Sequence, residues 1–176
     1  MEFNLEAIAQ SMSPAAMPPG KRRKMTILLI LRNLGIIAFV FGFSYGYTLL
    51  FGSSNTVMGV CISTTIVTLW KVNMGMRAWQ GSLVIFYIFL HIGLISHTVF
   101  THPAIAIPVN IVSIYLILTL SGQQMQMKSY LPFATCYVFA EYAPVSGVDY
   151  QMRLLGLAVG GACTAIFYFV VHRKDG

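Results

Sequence analysis

Arg153, Glu141, His91 and His97 lie inside or against long apolar stretches of this 176-residue chain. Ionisable side chains are expensive in such surroundings, so each is a candidate for chemistry. Arg153 precedes the glycine-rich run Gly156-x-x-x-Gly160-Gly161 and is a fixed cation able to attract an anion. The alternative is a structural pair with Asp149, four residues earlier, or with Glu141. Arg32, beside Asn33, either snorkels its guanidinium to an interface or lines an inner mouth. Arg77 is open to the same two readings, mouth residue or flanking charge. Glu141, next to Tyr142, is a carboxylate suited to proton coupling, or else an interfacial partner of Arg153. His91 and His97 are either proton carriers or hydrogen-bonded interior histidines.

Other chemistries find no support. A spacing of six puts His91 and His97 on different faces of a 3.6-residue helix, which is poor geometry for one metal. His102 follows before Pro103, and HExxH is absent. No metal and no cofactor is expected. Cys61, Cys136 and Cys163 are an odd set without paired spacing and read as small buried hydrophobes. P-loop, GxSxG and Ser/His/Asp signatures are missing, so enzymatic activity is not expected. The net charge of +6 is spread over the flanks of apolar stretches rather than gathered in a patch. Contact with anionic lipid head groups, not nucleic acid, is the reading.

The positioning elements follow from composition. The chain is 57% hydrophobic and 9% charged, against about 25% charged in a soluble domain. Six apolar stretches, at residues 25–51, 56–70, 81–100, 104–120, 130–145 and 154–171, predict an all-α, polytopic membrane protein with six transmembrane helices. The expected organisation is an N-terminal cytoplasmic segment (1–24), the helical domain (25–172) and a short tail (173–176). Residues 2–12 suit a short amphipathic helix, broken by Pro14, Pro18 and Pro19, and the segment either lies on the inner membrane surface or is disordered. With both termini inside, ten of the eleven basic residues are cytoplasmic and only Arg153 is outside, as the positive-inside rule demands. The localisation expected is the bacterial cytoplasmic membrane. The second and fifth stretches fall short of the about 20 residues a full span needs. Short spans in corresponding places of two halves, and an Arg–Gly echo at Arg77/Gly81 and Arg153/Gly156, suggest an inverted three-plus-three repeat. Gly156, Gly160 and Gly161 in the last stretch, and Gly35, Gly42 and Gly46 in the first, read as close-packing seams.

Residues 129–161 resemble the last third of a fusaric-acid-resistance (FUSC) or aromatic-acid-exporter domain. The marks are a short helix ending in Pro144-x-Ser146-Gly147, then Arg153-Leu154-Leu155-Gly156-x-x-x-Gly160-Gly161. The family's R-x-x-G-T-x-x-G motif is approached by Arg77-Ala78-Trp79-Gln80-Gly81-Ser82, one residue longer. The resemblance implies six helices, passage of small organic, above all aromatic, anions, and a homodimer. A rival expectation is a membrane assembly or envelope-interaction protein that transports nothing.

Overall fold

Where apolar side chains run unbroken, a backbone out of reach of water must bond to itself, and helix is the local answer. The computed structural model describes residues 19–121 and 130–173, and these are all-helical, without a strand. The suggested surface helix at 2–12, Lys128 and Lys174 lie outside the described residues. Among the described residues, six α-helices occupy the six apolar stretches: α1 (Pro19–Phe51), α2 (Thr56–Lys71), α3 (Ala78–Thr101), α4 (Ala106–Ser121), α5 (Leu131–Tyr142) and α6 (Gly147–His172). Short 3-10 turns, Ser53–Asn55 and Pro103–Ile105, precede α2 and α4.

Among the described residues, four segments have the length and apolarity to cross a membrane: 25–51, 78–101, 103–121 and 147–172. The 16-residue α2 and the 12-residue α5 are not among them; α4 is also 16 residues long, and its segment reaches 19 only with the 3-10 turn before it. At 1.5 Å per residue α2 and α5 reach only about 24 and 18 Å, against a hydrocarbon core of about 30 Å. Prolines bound α5. Pro132 sits in its first turn, where a missing N–H costs nothing, and Pro144 follows its end. The sixth helix starts at Gly147, seven residues before the apolar run. Gly147 takes φ 59° at the turn, a conformation only glycine adopts without strain. Asp149 then complements the positive end of the helix.

The chain divides into two compact units, residues 1–38 and 39–176. In the first, nearly all the described side chains of α1, Arg32 included, are exposed. In the second, successive helices alternate in direction. Asn55 meets Arg153 at one end of α2 and α6, and Leu69 meets His172 at the other, so these two run parallel. Ser82 on α3 donates to the Ala165 carbonyl of α6 (2.8 Å), while His97 stacks on Tyr150, so α3 runs against them. One end of this unit therefore carries residues 52–55, 102–105 and 143–149. The other carries 72–77 and 172–173.

Glycines on α6 set its packing. Cβ atoms added at Gly156, Gly160 and Gly161 would strike Tyr47 of α1, Ile62 of α2 and Phe89 of α3 respectively. Three different helices thus press side chains onto the bare backbone of one, the close approach that small residues permit. The space between is filled by Met58, Ile62, Ile88, Phe89, Phe133 and Leu157, all fully buried. By contrast, Cβ atoms added at Gly35, Gly42 and Gly46, expected to form a seam in the first helix, would meet nothing within 4 Å.

Gly160→Val is accordingly expected to destabilise the protein by about 1–3 kcal/mol through overpacking. Gly46→Ala, with open space around it, should be neutral or slightly stabilising because alanine favours helix. Thermal unfolding in mild detergent compares them.

Candidate functional site

Pro144 creates a local problem that the rest of the site answers. The carbonyl of Ala140 would ordinarily accept from the N–H four residues on, and proline has none. Arg153, on the second turn of α6 and 2% exposed, supplies the missing donors. One terminal nitrogen, Nη1, reaches the carbonyl oxygens of Ala140 (3.3 Å) and Ala143 (2.6 Å). Nη2 donates to the Ser54 carbonyl (3.2 Å) and Nε to Asn55 Oδ1 (2.9 Å). The amide of Asn55, fully buried, in turn donates to the carbonyls of Phe51 (2.9 Å) and Asp149 (3.2 Å). Arginine and asparagine together therefore hold the carbonyl ends of α5 and α1. A cation placed there also meets the negative pole of α5.

The bonds of Arg153 go to carbonyls and an amide, whereas the sequence offered Asp149 or Glu141 as its structural partners. Asp149 Oδ2 accepts from Ser54 Oγ (3.0 Å). Glu141 Oε2 accepts from Asn110 Nδ2 (2.9 Å). The Tyr137 hydroxyl donates to Asn110 Oδ1, which makes a Tyr137–Asn110–Glu141 chain between α4 and α5. The remaining oxygen of Glu141, Oε1, is buried and has no hydrogen-bond partner.

His97 lies at the same end. Its ring stacks on Tyr150 with centroids 3.9 Å apart, and its buried Nδ1 has no partner. His97, Tyr150, Pro144 and Arg153 line a niche too narrow for a water molecule. His91, farther down α3, stacks on Tyr87 (5.9 Å) and likewise has a buried nitrogen, Nε2, without a partner. The structure thus brings Arg153, His97 and the α5 end bearing Glu141 to one end of the second unit. Arg77 is exposed at the opposite end, as the residue before α3. The Arg–Gly echo is not matched in detail: Arg77 precedes its helix and is exposed, whereas Arg153 is within its helix and buried.

Asn55, Asn110 and Tyr137 were not singled out from the sequence. Asn110 in an otherwise apolar stretch was a readable signal, since a neutral amide at membrane depth also demands partners. Cys61 and Cys136, distant in sequence, are both buried in the core. Both remain free cysteines, and Cys163 is exposed.

Arg153→Gln should lower the melting temperature sharply, because charge-assisted bonds of about 1.5–3 kcal/mol each are lost and buried carbonyls are stranded. Arg153→Lys should recover only part, lacking the fork that serves several acceptors. Adding Asp149→Asn to Arg153→Gln should give no rescue, as the carboxylate bonds to Ser54 rather than to the guanidinium. Thermal melts of the three variants check this.

In comparison with known proteins, the chain matches no protein-family model, no curated protein and no solved structure.

Proposed function

We propose that this protein is a six-helix transporter or channel of the bacterial cytoplasmic membrane that exports small organic, above all aromatic, anions. The carrying observation is the cluster at one end of the second unit. A buried cation, Arg153, shares that end with a histidine and a carboxylate that each keep a buried, unpartnered atom, His97 Nδ1 and Glu141 Oε1. A proton-coupled anion carrier uses them: the cation to attract, the titratable pair to load and release a proton. The likeness of residues 129–161 to exporter domains supports the same reading.

The orientation proposed is both termini cytoplasmic. Lys71, Arg77 and Arg173 share one end of the second unit and Arg153 lies toward the other, a bias that the positive-inside rule reads as cytoplasmic for the first end. In this scheme α2 and α5, too short to cross unaided, complete the six spans within a locally thinned bilayer. A homodimer is the proposed assembly, with the two halves of the chain as inverted repeats. The passage then runs between or beside copies, since the interior of one unit is filled.

That filled interior favours a second reading, a membrane assembly or envelope-interaction protein without transport. Flux separates the two. Proteoliposomes should take up benzoate in proportion to an imposed pH gradient, and Glu141→Gln should cut the gradient-dependent part at least tenfold. No benzoate flux above empty vesicles, in either direction, would leave the second reading.

Orientation is read separately. With Cys61, Cys136 and Cys163 replaced by alanine, a cysteine at position 54 should label from outside intact cells. One at position 173 should label only after permeabilisation.

A further inference from the structure

At the end carrying Lys71, Arg77 and Arg173, α3 and α6 leave a groove of about 470 Å³ open on the outer face of the pair. Trp79, Leu83 and Phe86 form one wall, and Ala162, Ile166 and Phe169 the other. Its volume falls within the range of about 300–1,000 Å³ usual for ligand sites. Trp79, Leu83, Ile166 and Phe169 are each between 44% and 65% exposed. The groove is apolar along its length but charged at its mouth. Arg77 is two residues before Trp79, and Arg173 four after Phe169; both are exposed. The positive pole of the 24-residue α3 lies at the same place. Among the described residues of this end there is no aspartate or glutamate.

An apolar slot with two exposed arginines and a helix N-terminus near one end suits an amphiphile with an anionic head group. We propose that the α3–α6 groove binds an anionic phospholipid, with an acyl chain along Leu83, Phe86 and Ile166 and the head-group phosphate between Arg77 and Arg173. Trp79 sits at the level where indole rings settle between chain and head group. Charge selects the occupant. A second copy of this chain would bring its own arginines to the mouth, and a zwitterionic lipid would leave the excess positive charge unanswered. The inference rests on the membrane reading but not on transport, so lipid binding and benzoate flux fail independently.

The test is native mass spectrometry of the intact protein in detergent, titrated with dioleoylphosphatidylglycerol or with dioleoylphosphatidylcholine. One tight phosphatidylglycerol site per chain is expected, with phosphatidylcholine markedly weaker. Arg77→Gln should weaken phosphatidylglycerol about fivefold, the factor expected for one basic side chain beside an anionic head group. Ala162→Phe, which fills the groove, should weaken both lipids. Lys71→Gln removes the same charge from α2, which contributes no wall to the groove, and should leave the tight site unchanged. Equal loss in Lys71→Gln and Arg77→Gln would reduce the effect to general surface charge and overturn the site. Equal affinity for the two lipids, or a lipid-independent dimer that Ala162→Phe dissociates, would overturn it as well.

Discussion

A helix that ends within an apolar layer leaves carbonyls that water does not reach, and something in the protein must bond to them. This constraint organises one end of the molecule. The helix α5 stops after twelve residues because prolines bracket it, and Pro144 deprives Ala140 of its intrahelical donor. Arg153 and Asn55 fill the deficit for α5 and α1 together. The guanidinium suits the role because it presents five donors in a fixed plane and stays charged when buried. Position also matters: on the second turn of α6 it is rigid and close to both helix ends at once.

The other end is held by different means. The Tyr168 hydroxyl accepts from the Met74 backbone N–H and donates to Asn73 Oδ1, both at 3.1 Å, which fastens the 72–77 connection to α6. The ring of Tyr168 lies over Gly81, where a methyl group would collide with it. His172 contacts the Leu69 carbonyl at 2.9 Å. Helix α6 is thereby pinned at both ends by polar side chains and in the middle by bare glycine backbone. Lipid chains are as apolar as leucine, so close packing and satisfied polar groups, rather than hydrophobic burial, must hold such a bundle together.

The same arrangement constrains function. A buried arginine fully engaged with carbonyls is rigid and well placed, but moving it would cost the bonds that close α5 and α1. Any passage that used its charge would draw on its field rather than on direct contact. At the same end, His97 Nδ1 and Glu141 Oε1 are buried without a hydrogen-bond partner. The tightest packing lies between α2, α3, α5 and α6, and the open faces lie outside it.

Helical class, the six apolar segments and the shortness of the second and fifth were legible in residue type alone, because a run of apolar residues has only one good local conformation. The seam on α6 was legible for the same reason, since Gly156, Gly160 and Gly161 carry their spacing in the chain. The start of α6 was not, because its first two turns are polar and hydropathy does not report helix there. Nor were the partners of Arg153: backbone carbonyls have no residue identity to read, and Asn55 lies 98 positions away in the chain. The Tyr137–Asn110–Glu141 chain depends likewise on which helix faces meet. Local composition determined the helices; the tertiary structure decided their pairing, because a residue's spacing sets its face but not the face opposite it.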